Sequence, residues 1–182
     1  MLDNRPELEA VLAEDPERLG RVFARHAYGM LRWVDLFSAR IPTTPDPEVK
    51  QLVAEVVAAN ARHMNLFRGR ARAHGVDPDA YVCPPEGEVI YERIEEMTDL
   101  HELLGYAAAS LEHFAQLLAA YATAAGGEDA AVIAEVAADN ERARGRLRPF
   151  AAGSGADAGA AEAHELYRRR ELVEAGTYAD AG

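Results

Sequence analysis

The chain is short of several things at once, and each shortage narrows what it can be. It carries one cysteine, Cys83, in 182 residues. A lone thiol cannot close an intramolecular disulfide, which suits a reducing compartment. β-Branched residues are sparse while alanine, leucine, glutamate and arginine dominate, so strands are not expected. Positive charge is in the minority, 19 Lys and Arg against 31 Asp and Glu, and the formal net charge is −12. That balance argues against nucleic acid or an anionic membrane as a general partner. No stretch reaches the roughly 18 uncharged apolar residues of a membrane helix. The N-terminal MLDNRPELEAVLAED is charged throughout, unlike a signal peptide. A soluble cytoplasmic protein is expected. Also missing are a glycine-rich phosphate loop, a Cys-x-x-Cys pair and a Gly-x-Ser-x-Gly elbow. GGED, at 126–129, reads as a turn.

What is present is helical periodicity over most of the length. Asp15-Pro16 predicts the start of a first long helix that runs to about Arg40, with Leu19, Val22, Phe23, His26, Met30, Trp33 and Phe37 on one stripe. Asp46-Pro47 repeats the signal for a second helix to about His74, stopped by Gly75. Its stripe is Leu52, Val56, Asn60, His63 and Phe67. A short helix is expected around Val89 to Met97. A third long helix starts near Thr98 or Asp99, with Glu102 placed for a capping-box contact, and continues to about Ala124. Its inward positions are read as Leu104, Ala108, Leu111, Glu112, Ala115 and Leu118. A rotation of this helix would instead bring His113 or Tyr106 inward. The fourth helix covers about Asp129 to Arg148, with Ile133, Val136, Ala137, Asn140, Ala143 and Leu147 inward. AAGSGADAGAAE reads as a flexible linker, followed by a weakly amphipathic helix around Ala161 to Ala175.

The expected class is all-α: two helical hairpins joined by a long crossover, a four-helix bundle over 1–150 with a linker and helical appendage over 151–182. An up-down-up-down bundle with an elaborate middle loop is the alternative. Two arginine-rich stretches, Arg62 to Arg72 and Arg142 to Arg148, fall near helix C-termini, where cations suit the helix dipole. His74 and His101, at helix ends, are expected to face solvent.

A coincidence of depth points to a site. His26 lies about 14 residues before the end of its helix and Asn60 about 14 after the start of its antiparallel neighbour, at about 1.5 Å rise per residue. His63 is one turn deeper, and Glu112 and Asn140 fall near mid-height on the third and fourth helices. Polar groups are costly inside a protein unless they are bonded to something. His26, Asn60, His63, Glu112 and Asn140 are therefore expected to meet, with Tyr28, Tyr106 and Trp33 as candidate lining. YVCPPEGEVIYERI, in the crossover, is where a lid would sit.

These residues resemble a family. AANARHMNLFRGRARAHG is similar to the second-helix Glu-Ala-Arg-His motif of the tRNA-hydroxylase-like branch of the ferritin-like superfamily, the di-iron carboxylate bundles. The resemblance covers roughly residues 15 to 150, with degenerate motifs. His63 matches the second-helix histidine and Glu112 the third-helix glutamate. His26 takes the first-helix glutamate position, Asn60 that of the second helix and Asn140 that of the fourth. Ala143 falls where the fourth-helix histidine belongs. The resemblance implies two bridging carboxylates, and both are neutral amides here, which speaks against an ordinary di-iron centre.

Two chemistries remain. In the first, no cofactor is needed: a histidine beside Glu112 serves as general acid or base, with the asparagines and the tyrosines Tyr28 and Tyr106 binding substrate. That chemistry supports isomerisation, elimination or cyclisation of a small organic molecule. In the second, His26, His63 and Glu112 hold one Fe(II) as a mononuclear oxygenase. A non-catalytic ligand-binding or interaction bundle is the third possibility. The expected partner is a small-molecule substrate, and a homodimer is left open.

Overall fold

The computed structural model describes residues 5–15 and 17–179, and every regular element among them is helical. The order is α1 (Arg5–Glu14), α2 (Glu17–Ser38), α3 (Pro47–Ala73), a 3-10 turn (Pro78–Ala80), α4 (Pro85–Glu96), α5 (Leu100–Ala124), α6 (Gly127–Leu147) and α7 (Ser154–Ala179). Pro16, half of the first start signal, lies outside the described residues. The other start signals work as capping chemistry predicts. Asp46 accepts hydrogen bonds from the Glu48 and Val49 amides ahead of Pro47, and Asp99 accepts one from the Glu102 amide. The Glu102 carboxylate does not complete a capping box. It pairs with Arg93 at 3.3 Å. Gly75 takes φ +76° just past the α3 cap, a conformation that favours glycine.

Pairings fix the helix directions. Glu55–Arg146, His63–Asp139 and Arg70–Asp129 join α3 to α6 with one set of numbers rising as the other falls, so these helices are antiparallel. α2 and α3 form one hairpin, and α5 and α6, separated by Ala125 and Gly126, form another. His26 of α2 packs against Phe114 and Tyr121 of α5.

The interior is split. One apolar cluster holds Leu8, Leu12, Phe23, Phe67, Leu118, Tyr121 and Val136. The other holds Phe37, Leu52, Ile94, Leu104, Tyr106, Leu147 and Tyr167. Polar side chains buried between them, among them His26, Asn60, Ser110, His113 and Asn140, form a belt at the waist.

Three further expectations need correction. The stretch AAGSGADAGAAE is not a linker: α7 begins at Ser154 and packs along α5, and Ala163, Leu166 and Tyr167 belong to the core. Its small residues bring two backbones together. A Cβ built on Gly159 would lie 1.8 Å from the Glu102 carbonyl oxygen, and one on Gly105 would lie 2.1 Å from that of Ala156. Sequence reading took this composition for flexibility because both uses favour the same residues. α1, which carried no prediction, buries Leu8 and Leu12 against the core.

The arginines do more than suit helix dipoles. Arg62, Arg70 and Arg146 pair across the α3–α6 seam with Asp139, Asp129 and Glu55. His74, expected in solvent, is half-buried and bonds Asp129 at 2.8 Å, while His101 is exposed as expected. Finally, α5 is covered on two sides, by the hairpins and by α7. The face carrying Tyr106, Ser110, His113 and Leu117 is buried, and Glu112 is turned outward. No helix among the described residues is long and apolar enough to cross a membrane.

Candidate functional site

A cavity of about 50 Å3 lies in the polar belt. α2 supplies His26, Gly29, Met30 and Trp33, α3 supplies Asn60, and α6 supplies Asn140. α5 contributes Ser110, Leu111, His113, Phe114 and Leu117. Tyr91 reaches in from α4 and Tyr167 from α7. The helix period explains the set. Ser110, His113, Phe114 and Leu117 are spaced by three and four on α5, and His26, Met30 and Trp33 likewise on α2.

Three of the five residues expected to meet do so: His26, Asn60 and Asn140 line this one space. The other two do not. Glu112 has a side chain 58% exposed and faces Arg144 at 3.6 Å, because α7 turns the neighbouring face of α5 inward. His63 is fully buried yet lies outside the cavity, drawn to α6 by Asp139, whose Oδ2 is 3.0 Å from His63 Nε2. A carboxylate only accepts, so His63 Nε2 donates and Nδ1 carries the lone pair. That Nδ1 has no hydrogen-bond partner. Asp139 is also held by Arg62 and Arg142. Burial, and then the Arg62 guanidinium, push the His63 imidazole down to about 4. Asp139 pulls the other way, but two guanidiniums already share its charge, so burial prevails.

His26 is held by Arg25 and Tyr121. Arg25 Nη2 lies 2.9 Å from His26 Nε2 and donates to Tyr121 Oη at 2.9 Å, and Tyr121 Oη lies 2.8 Å from the same imidazole nitrogen. A guanidinium can only donate, so Nε2 accepts and the ring is the neutral Nδ1–H form. The nitrogen a general base would use is thereby engaged. His113, the alternative inward residue of α5, stacks on Tyr167 with centroids 4.2 Å apart and planes at 17°.

Of the expected lining residues Trp33 is in place, and the two tyrosines are not. Tyr106 is wholly buried in the core beside Tyr167, with centroids 6.4 Å apart. Tyr28 hydrogen-bonds Glu88 of α4, and its ring meets those of Tyr81 and Tyr91. Burial and the Glu88 carboxylate raise its phenol well above the ordinary value. Tyr28 thus fastens α4 to α2, and Tyr91, one turn from Glu88, is what reaches the cavity. Gly29 makes room for it, since a Cβ there would stand 3.1 Å from Tyr91 Oη.

Two polar atoms of the wall stand out. Ser110 Oγ and Asn140 Nδ2 are buried without a hydrogen-bond partner, on residues 2% and 7% exposed. Asn60 donates one N–H of Nδ2 to the Val56 carbonyl at 2.9 Å and keeps Oδ1 as an acceptor. Sequence reading missed Ser110, Tyr91 and Tyr167. Ser110 lies one turn before His113, so the helix rotation that brings His113 inward brings Ser110 with it.

The donor set for iron does not assemble. His26, His63 and Glu112 point to a cavity, to Asp139 and to solvent respectively, and among the described residues no three His, Cys, Asp or Glu side chains converge to hold a metal ion. No protein-family model, curated protein or solved structure matches the chain.

Proposed function

We propose that this chain is a ferritin-like bundle whose core pocket binds and transforms a small organic molecule by acid–base chemistry at its own side chains. The supporting observation is the pair of buried, unpartnered polar atoms, Asn140 Nδ2 and Ser110 Oγ, on the wall of one cavity with two histidines. Leaving a buried donor unsatisfied costs roughly 1–3 kcal/mol, so two on the wall of one pocket are best explained by a guest that satisfies them.

Helix directions support the ferritin-like assignment. With α2 against α3, α3 against α6 and α6 against α5 each antiparallel, α3 and α5 run the same way. The chain between them must then return along the bundle through α4, which is the crossover arrangement. The family's iron chemistry does not come with it, because the carboxylates that would neutralise two cations are Asn60 and Asn140 here and the remaining donors diverge.

Within the pocket the proton-transferring group is His113. His26 has Nε2 committed to Arg25 and Tyr121, and His63 and Glu112 are elsewhere. Its stacking on Tyr167 fixes the plane of the His113 ring, which orients both nitrogens. His113 takes a proton from the bound molecule or returns one, and Asn140 and Ser110 donate to an oxygen that gains charge in that step. Isomerisation, elimination and cyclisation all need only this much. The single cysteine, Cys83, which cannot close a disulfide within the chain, suits the cytoplasmic setting that goes with such an enzyme.

The test is to incubate the purified protein with a fraction of small neutral metabolites and follow masses and retention times. One precursor should fall and one product rise with wild-type protein, and not with His113→Gln. If no such pair changes, or if His113→Gln performs as well as wild type, the catalytic reading is wrong.

A further inference from the structure

We propose that the pocket's ligand is an uncharged molecule that presents a hydrogen-bond-accepting oxygen, of ketone, lactone or amide type, to Asn140 Nδ2 and Ser110 Oγ. This rests on the functional reading above and names the class of molecule.

Charge is the first discriminator. Among the described residues no Asp, Glu, Lys or Arg lines the cavity. Charged groups beside the wall are engaged: Arg25 donates to Tyr121 and lies against His26 Nε2, Arg32 sits over the Tyr91 ring, and Asp139, next to Asn140 in the chain, faces His63, Arg62 and Arg142. A carboxylate, phosphate or ammonium in this space would be desolvated with no counter-charge, which proteins avoid.

Polarity is the second. The unpartnered atom of Asn140 is specifically the amide nitrogen, which can only donate. Its complement is an acceptor, and a hydroxyl such as that of Ser110 can donate to the same oxygen. Asn60, also on the wall, spends one N–H on the Val56 carbonyl and keeps Oδ1 as an acceptor and a second N–H as a donor. An amide or a hydroxyketone would satisfy Asn60 as well, and a simple ketone would satisfy Asn140 and Ser110. Much of the remaining lining is apolar, Met30, Trp33, Phe114 and Leu117 among it, and fits the hydrocarbon part of such a molecule.

The test uses cyclopentanone, its hydrocarbon counterpart methylenecyclopentane, and cyclopentanecarboxylate and cyclopentylammonium as charged relatives. Binding is read by NMR titration of isotope-labelled full-length protein. Cyclopentanone should shift resonances of the pocket, and each charged relative should bind at least about tenfold more weakly. In Asn140→Leu the ratio of ketone to hydrocarbon affinity should fall about tenfold, the factor one buried hydrogen bond supplies. Ser110→Ala, a smaller change that keeps the result readable if Asn140→Leu does not fold, should lower the same ratio by about threefold. A ratio unchanged in both variants, or a charged relative that binds best, overturns the carbonyl class while leaving the pocket standing. If neither neutral probe shifts pocket resonances, both the class and the underlying pocket reading fall.

Discussion

Adding one methyl group at Gly159 should destabilise the protein more than any exposed substitution of the same size. The Cβ of Gly159→Ala would stand 1.8 Å from the Glu102 carbonyl oxygen, 2.7 Å from its carbon and 2.9 Å from the Tyr106 nitrogen, all backbone atoms of α5. Ordinary contact for such a pair begins near 3.4 Å, so α7 has to retreat by somewhat over an ångström. Backbone cannot swing aside as a side chain can. Overpacking of this kind costs typically 1–3 kcal/mol, and with a whole helix to displace we expect about 3 kcal/mol. For a chain of this length that lowers Tm by roughly 6–12 °C. Gly69→Ala is the control. Gly69 is exposed inside α3 and its Cβ would meet nothing within 4 Å, so the same chemical change should stabilise by roughly 0.5–1 kcal/mol through helix propensity alone. Thermal unfolding followed by circular dichroism compares the two. If residues 151–162 were a linker, Gly159→Ala would be neutral or slightly stabilising, and a Tm within about 1 °C of wild type would refute the packing described above.

Three further predictions follow from the site. His63 binds a proton only near pH 4 in the folded state but near 6.5 when unfolded, so stability is complete above about pH 6.5 and lost as pH falls toward 4, by up to about 3 kcal/mol. Urea unfolding at pH 7.5, 5.5 and 4.5 should show that loss in wild type and a shallower one in His63→Gln; equal slopes would place the imidazole in an unperturbed setting. Glu112→Gln should leave cyclopentanone binding unchanged and alter stability by less than about 0.5 kcal/mol, since the carboxylate is exposed, whereas a loss of binding would return Glu112 to the site. Gly29→Ala should weaken cyclopentanone binding several-fold by pushing Tyr91 Oη away from a Cβ only 3.1 Å off, and Tyr91→Phe in the same protein should restore it. If Tyr91→Phe restores nothing, the contact between α2 and α4 does not shape the pocket.

How much of this was legible in the sequence depended on whether local rules decided the outcome. Asp46-Pro47, Asp99 and Gly75 set helix ends through hydrogen bonds and backbone angles within a few residues, so the bounds of α3 and α5 could be read in advance. The stripes of α3 and α6 were readable because each buries one face, and Asn60 and Asn140 fall on those faces; His26 lies on the apolar stripe of α2, although α2 is buried all round from Val22 to Ala27. α5 defeated the same method. Its alanine-rich surface is covered from two sides, so no single stripe defines inward, and Glu112 was chosen one position away from His113. Nothing in Gly105 or Gly159 taken alone says that their backbones touch. That fact belongs to the pair, and only the structure contains it.

The placement of charge explains why Asn60 and Asn140 are amides. Asp139 and Asn140 are neighbours on α6, about 100° apart around the helix, and they face different surroundings. Asp139 turns to the seam with α3, where Arg62, Arg142 and the His63 imidazole surround it. Asn140 turns to a cavity with no Lys or Arg among the described residues on its wall. A carboxylate at position 140 would carry its charge into that space unpaired, a penalty of several kcal/mol unless it took up a proton. Asn60 and His63, one turn apart, share a face of α3, with His63 drawn toward Asp139 and Asn60 at the cavity wall. On α6 the ionic group and the neutral hydrogen-bonding group thus take different sides. On the acid–base reading proposed above, a wall without Asp, Glu, Lys or Arg among the described residues favours a substrate whose charge appears only while a proton is in transit.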